Sequence, residues 1–328
     1  FFYLKFTGNT STSLTGVASV AWPVGSASVG TLDPASNAKI AYLPFLEGVP
    51  WSLFGKIITS TGTGSNGSLD VFPSSWTVGG GLVHDIFDFA DAKKTREVIK
   101  RSDGSSNYSW AFPVETPFSN GLRNYIDISS QSGQWPVQRQ GSISWRGCVD
   151  PTGHAMGYHP PVIAHIKDQD IQQIIEHDLY STSVGQVYSE SKVSYTNSTT
   201  YSDPSVTIQA NNYNNLSLPA TEEIIHNMVG RYNPTIPDGD KRTQMATGDL
   251  RRMKYWDLYP SERLRIRVNL KHAVLCAGDV VEITSQYLSG AYSPRSETFR
   301  QQRAMVLKSS IDFGRPSVTL ELGITRKE

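Results

Sequence analysis

Arg263-Leu264-Arg265-Ile266-Arg267-Val268-Asn269-Leu270 alternates polar and aliphatic residues at every second position. Successive side chains of a strand point to opposite faces. The stretch therefore predicts a half-buried strand with Leu264, Ile266, Val268 and Leu270 in a core and Arg263, Arg265 and Arg267 outside. A register slip of one residue would bury the guanidiniums. Each would cost several kcal/mol if unpaired, more than the ~2 kcal/mol that burying an apolar side chain recovers. The outward row, with Arg251, Arg252 and Lys254 just before it, suits nucleic acid or an acidic partner. Cross-strand pairing with Glu282 or Glu321 is the stronger reading, because opposite charges across a sheet stabilise it.

Working outward, Gly278-Asp279 turns into the strand Val280–Thr284. Arg303–Asp312 and Pro316–Gly323 follow, the latter alternating Val318, Leu320 and Leu322 with Thr319 and Glu321. These strands and their short turns predict a barrel or small sandwich. Upstream, Pro50, Trp51, Leu53, Phe54, Ile57 and Ile58 recur at a helical spacing. A second helix is predicted from His84 to Arg101, with acids early and bases late, as the helix dipole favours. Residues 134–146 predict a hairpin turning at Gln140-Gly141. Ile163–His177 predicts a strand and then a helical turn through Ile171, Ile174 and Ile175, capped by Asp168 or Asp170. Residues 184–210 alternate as strands. Thr221–Val229 predicts a helix, and so does Arg242–Tyr255, with Gly248 as a weak point. Residues 1–46 suggest short strands, Lys39–Leu43 among them. The fold class expected is α+β, mainly β.

The chain has 328 residues, with 30 basic and 30 acidic side chains, so it carries no net charge. That excludes a uniformly basic nucleic-acid coat. The two cysteines, Cys148 and Cys276, argue against a disulfide scaffold. No apolar run approaches the ~20 residues that span a bilayer. The start, Phe1-Phe2-Tyr3-Leu4-Lys5-Phe6, has neither a basic leader nor a methionine. The expectation is a strand opening in mid-domain, with an upstream segment outside this numbering.

Chemistry finds little purchase. The loop Ser60-Thr61-Gly62-Thr63-Gly64-Ser65-Asn66-Gly67 lacks the Gly-Lys-Ser/Thr of a phosphate loop. Gly62, Gly64 and Gly67 are expected to set a backbone turn. Cys148, Asp150, His154 and His159 lack the paired spacing of a structural zinc site. His84-Asp85 and His177-Asp178 come without a Gly-x-Ser-x-Gly elbow. Asp85/Asp88 and Glu222/Glu223 suit helix N-termini. The seven tryptophans could form a sugar-binding strip, but more often such residues fill cores and interfaces. No catalytic, cofactor or metal residue is assigned.

Several stretches resemble, in order, segments of the tail hub proteins of long-tailed bacteriophages. Trp51–Thr59 with Ser60-Thr61-Gly62-Thr63-Gly64-Ser65-Asn66-Gly67-Ser68-Leu69-Asp70-Val71-Phe72-Pro73 resembles the family's helix and glycine-rich segment. Trp135-Pro136-Val137-Gln138-Arg139-Gln140-Gly141-Ser142-Ile143-Ser144 resembles its hairpin. Leu275-Cys276-Ala277-Gly278-Asp279-Val280-Val281-Glu282-Ile283-Thr284 resembles its Gly-Asp-Val-Val strand. Arg303–Lys308 and Val318–Leu322 resemble its closing strands. The resemblance implies two tube-like β-barrel domains with a smaller α/β insertion. Residues 1–47 would belong to the first barrel, 48–160 to the insertion and 161–328 to a β-rich region including the second barrel. It implies a non-enzymatic virion protein, a homotrimeric baseplate hub at the tail tip. Implied partners are the distal tail or tail tube protein, the tape-measure protein and a central fibre or tip protein. No membrane contact is implied in the resting particle, DNA passes only in transit, and no cofactor is implied. Gly62, Gly64, Gly67, Arg263, Arg265, Arg267, Gly278 and Asp279 are the structural or interface candidates. The arginine row could then also contact an adjacent subunit or line the channel. The channel ranks last, because DNA would adhere to a continuous basic wall. The alternatives are a cell-wall or glycan-degrading tail enzyme, needing two carboxylates across a cleft, and a carbohydrate-binding module, needing exposed coplanar aromatics.

Overall fold

The computed structural model describes residues 3–5, 8–9, 14–15, 18–20, 45–60, 80–100, 110–113, 118–153, 159–178, 190–194, 205–209, 223–227, 239–258, 261–289 and 298–325. The expected strand Lys39–Leu43 and the glycine-rich loop 61–68 lie outside them. β1 (Tyr3–Lys5) pairs antiparallel with β4 (Ala18–Val20), and β2 (Gly8–Asn9) with β3 (Leu14–Thr15). β5 (Phe45–Gly48) leads into α1 (Pro50–Thr59). The proline sits in the first turn, where its missing N–H costs nothing. The helical spacing read from the sequence is realised, and Leu53, Phe54, Ile57 and Ile58 are buried.

The expected helix from His84 to Arg101 is broken. A 3₁₀ turn (His84–Ile86), α2 (Phe89–Lys93) and a second 3₁₀ turn (Lys94–Glu97) take its place. Tertiary pairing overrides the charge pattern: Phe87 bridges to Ile143 and sinks its ring into the core. Asp88 then caps α2, accepting the Asp91 N–H at 2.8 Å. β6 (Trp110–Pro113) pairs with β5. α3 (Phe118–Gln131) is absent from the sequence reading, although Leu122, Tyr125, Ile126 and Ser129 carry its spacing. β7 (Gln134–Arg139) and β8 (Ser142–Gly147) form the expected hairpin. Its turn residues Gln140 and Gly141 take φ of 48° and 85°, the pair of positive values that a tight hairpin turn demands.

These elements surround an aromatic core. Trp145 lies 5.0 Å from Phe54 and 6.1 Å from Tyr125, ring centre to ring centre, and Trp110 lies 5.9 Å from Tyr125. The buried polar tips of Tyr125 and Trp145 are satisfied: Tyr125 Oη donates to the Pro50 carbonyl at 2.6 Å, and Trp145 Nε1 to Gln134 Oε1 at 3.1 Å.

β9 (Val162–Lys167), a 3₁₀ turn (Asp168–Asp170) and β10 (Ile171–Asp178) come next. The expected helical turn through Ile171, Ile174 and Ile175 is thus a strand, and only 168–170 is helical. β11 (Glu190–Ser194), β12 (Ser205–Gln209) and β13 (Glu223–Asn227) make a three-stranded sheet with β11 central. The helix expected at Thr221–Val229 is therefore β13, parallel to β11, in keeping with its β-branched Ile224-Ile225. α4 (Gly239–Leu258) runs unbroken through Gly248 and returns Met245, Ala246, Leu250 and Met253 to the aromatic core.

β14 (Glu262–Asn269), β15 (Val280–Ser285), β16 (Phe299–Asp312) and β17 (Ser317–Ile324) join β9 and β10 in a six-stranded sheet of order β10-β14-β17-β16-β15-β9. Leu264, Ile266 and Val268 are fully buried beside Val318, Leu320 and Leu322. Leu270 departs from the pattern: it opens a 3₁₀ turn and is 36% exposed. One core draws on β9, β14, β15, β16 and β17, so the sheet curls on itself. Its two edge strands, β9 and β10, are successive in the chain and do not pair with each other among the described residues. The closed C-terminal barrel expected from sequence is an open, curled sheet, because the turn at Asp168–Asp170 sends β10 to β14 and not back along β9.

Ile266 faces Leu320 in the middle of this core. Ile266→Asp should abolish folding, since a buried unpaired carboxylate costs several kcal/mol. Circular dichroism and thermal melting test this; a soluble variant with an unchanged melting temperature would refute the strand's role.

Candidate functional site

The most constrained polar cluster lies where the aromatic layer meets the curled sheet. The hairpin strand β8 presents Arg146, and α2 presents Asp91. The Gly278-Asp279 turn before β15 presents Asp279. Arg146 Nη2 donates to Asp91 Oδ2 at 2.7 Å, and Nε to Asp279 Oδ1 at 3.0 Å. Its Nη1 bonds the Trp145 carbonyl at 2.8 Å. Asp91 also accepts from Arg139 Nη1 at 2.6 Å and the Ser144 hydroxyl at 2.7 Å. Asp279 accepts the Cys276 N–H at 3.0 Å. The side chains of Arg146, Asp91 and Asp279 are 8, 6 and 2% exposed. Gly278 completes the fit, with φ of +92° and a position at which a Cβ would stand 2.7 Å from Arg146 Cβ.

Charge state follows from this geometry. Burial alone would raise the Asp91 carboxyl; the Ser144 hydroxyl and the Arg146 and Arg139 guanidiniums outweigh it and bring the pKa down to about 2. Burial first, and the Asp279 carboxylate second, push the Cys276 thiol up to about 12, which leaves it inert as a nucleophile. The three central charges, Arg146, Asp91 and Asp279, are matched and buried, while Arg139 and an exposed Lys94 reach Asp91 from the rim. The arrangement holds segments together and offers no open face to a substrate.

The second polar feature is the outer face of the curled sheet. Glu176 on β10, Arg265 on β14, Glu321 on β17 and Lys308 on β16 are successive register partners, so charge alternates in sign across the row. Beside it, Arg263 stands opposite Asp178 and pairs with Glu321 at 3.5 Å, while Arg267 Nη1 donates to Gln173 Oε1 at 2.7 Å. Glu176, Asp178, Arg263, Arg265 and Glu321 border a shallow pocket of about 200 Å³. Glu282 is not a partner of the row. It sits on β15, three strands from the arginines of β14, engaged by Arg303 at 3.3 Å and His165 at 3.1 Å. Glu176 and Asp178 escape the sequence reading because the strand that carries them looks helical. Arg252 is buried and pairs with Asp249, so it adds nothing to a basic surface.

The other sequence candidates stay apart. His177 Nε2 meets Glu262 Oε1 at 2.5 Å, and His84 lies 3.6 Å from an exposed Asp85. His159 Nδ1 bonds the Thr152 carbonyl at 2.8 Å, and Asp150 accepts the Thr152 and Thr325 hydroxyls at 2.7 and 2.9 Å. Among the described residues no three His, Cys, Asp or Glu side chains are grouped to hold a metal ion. No described helix is long and apolar enough to cross a membrane. Trp110 and Trp145 are buried, and Trp51, Trp135 and Trp256 are half-buried, so no described tryptophan offers the exposed ring that a sugar platform needs. Gly62, Gly64 and Gly67 lie outside the described residues.

No family model and no curated protein matches the chain. Among solved structures it is similar to the virion of a native gene transfer agent particle, at 10% identity over 67% of this chain and 41% of that one, with a TM-score of 0.39. It is also similar to a tail protein from Neisseria meningitidis MC58, at 13% identity over 66% of this chain and 57% of that one, with a TM-score of 0.36. A third is the prophage tail protein gp18 from Listeria monocytogenes EGD-e, at 12% identity, the same 66% and 57% coverage and a TM-score of 0.33. The chain thus spans about half the length of these tail proteins, 57% in each case.

The depressed Asp91 carboxyl makes an acid-sensitive contribution. A carboxylate whose pKa falls on folding stabilises above its unfolded value of ~3.9 and loses that contribution as pH falls toward the folded value. The drop to about 2 corresponds to roughly 2 kcal/mol. Urea titrations between pH 6 and pH 2.5 should show this loss in the native chain, and Asp91→Asn should be less stable at pH 6 with a flatter acid limb. An unchanged acid limb in Asp91→Asn would show that Asp91 is not the group responsible.

Proposed function

We propose that the chain is a structural protein of a bacteriophage-type tail, the subunit of a homotrimeric hub at the tail tip. One observation carries the reading: the described segments that resemble hub proteins pack against one another. α1 meets the hairpin through Phe54 and Trp145. The hairpin's Arg146 grips the Gly278-Asp279 turn. β16 and β17, the strands with the closing motifs, pair with each other and with the flanks of β15 and β14. Segments spread from residue 50 to residue 324 thus form one connected frame, as expected when a family preserves an architecture and varies the intervening loops.

In this reading the curled six-stranded sheet is the second tube-like unit, residues 1–47 belong to the first and 48–160 form the insertion. The partners would be the distal tail or tail tube protein, the tape-measure protein and a central fibre or tip protein, with DNA only in transit. The charge-balanced outer face accords with passing contact and not with DNA capture, because its carboxylates offset the summed phosphate attraction of the arginines. The protein has no catalytic role in this account: the buried Asp91 and Asp279 are held by Arg146, Glu321 and Glu282 are engaged by Arg263 and Arg303, and the described tryptophans are buried or half-buried. A glycan hydrolase or sugar-binding module has no comparable observation in its favour.

Mass photometry of the purified chain, alone and after cross-linking at micromolar concentration, should show trimers near three times 36.2 kDa. A chain that remains monomeric alone and in the presence of tail-tube protein would overturn the hub reading.

A further inference from the structure

Two turns at distant points of the chain present matched features. The β16–β17 hairpin ends at Phe313-Gly314-Arg315-Pro316, with Phe313 83% exposed. The tip is held rigid by Asp312, whose Oδ1 accepts the Gly314 and Arg315 N–H groups at 2.9 and 3.1 Å. Arg315 is exposed beside it. The segment after residue 80 presents Leu82 and Val83, 45 and 73% exposed, followed by Asp85 with a fully exposed side chain. Each turn therefore offers a large apolar group and, two residues on, an exposed charge. The charges are opposite in sign.

We infer that these two turns meet between copies of this chain, the Phe313 ring of one subunit covering Leu82 and Val83 of the next, and Arg315 pairing with Asp85. The inference rests on the trimer proposed above and assigns residues to its interface. Exposed aromatics on rigid turns suit such anchors, because little side-chain or loop entropy is lost when they bind. The alternative acidic and apolar surface, Ile174, Ile175, Glu176 and Asp178 on β10, is less suited, since Glu176 and Asp178 already face Arg265 and Arg263. The two contact patches are different surfaces of one chain, so the contact is head-to-tail. A head-to-tail contact repeated around an axis closes a ring, as a trimer requires, whereas a self-matching patch would stop at a dimer.

Charge exchange tests the contact. Arg315→Glu and Asp85→Arg are both surface changes, and each should raise the trimer dissociation constant at least tenfold by mass photometry, with thermal unfolding of the subunit unchanged. The double variant Asp85→Arg/Arg315→Glu restores the opposite pairing and should recover most of the loss. Phe313→Ser should weaken the trimer without recovery by either charge change. A native trimer that is indifferent to both single changes, or single changes that weaken it without rescue in the double variant, would overturn the assignment while leaving the trimer standing. A native chain that never trimerises would overturn the trimer itself and the contact with it.

Discussion

Arg146 is the side chain on which the architecture turns. It leaves a hairpin strand that belongs to the aromatic layer and reaches Asp91 on one side and Asp279 on the other. Asp279 opens the strand that leads into the curled sheet. A guanidinium suits this position because it is planar, permanently charged and able to donate along several directions at once. Buried ion pairs are not in themselves a large source of stability, because desolvation consumes much of the attraction. Their value lies in specificity. With Arg146 in place, the two carboxylates share one guanidinium; with it removed, Asp279 loses that ion pair and Asp91 falls back on Arg139, Lys94 and Ser144. The cluster therefore disfavours every arrangement in which hairpin and sheet part company.

The same logic explains the neighbouring glycine. Gly278 takes a φ that side chains rarely adopt, at a point where the backbone passes close against the stem of Arg146. The turn motif and the arginine thus constrain one another. The aromatic layer adds the non-directional part of the attachment, with Phe54, Tyr125 and Trp145 packed behind the strand that carries Arg146. Apolar packing sets how firmly the layers adhere, and the ion cluster sets their registration.

Much of this was legible in the sequence, and the failures have physical causes. Period-two alternation located β14, and the helical stripe located α1, because in both a single buried face dominates the pattern. The hairpin at Gln140-Gly141 was legible because few residue pairs accept two positive φ values. The segment 84–101 misled because its charge polarity is that of a helix, while Phe87 is claimed by a distant strand. Ile171–Ile175 and Thr221–Val229 misled because short apolar runs have no decisive period. Missing β10 hid Glu176 and Asp178, which face the arginine row from the side opposite the expected partner Glu321. Asp279 was singled out as part of a turn motif, but its partners Arg146 and Asp91 lie 133 residues and farther away in sequence, and no local signal joins them.

The central claim is that Arg146 couples the aromatic layer to the curled sheet. Thermal unfolding should be followed in parallel by tryptophan fluorescence, weighted toward the aromatic layer, and by far-ultraviolet circular dichroism, which sees the whole chain. In the native protein the two curves should coincide, as for one cooperative unit. In Arg146→Met they should separate, with the fluorescence transition moving to lower temperature. Coincident curves at an unchanged midpoint in Arg146→Met would contradict the account.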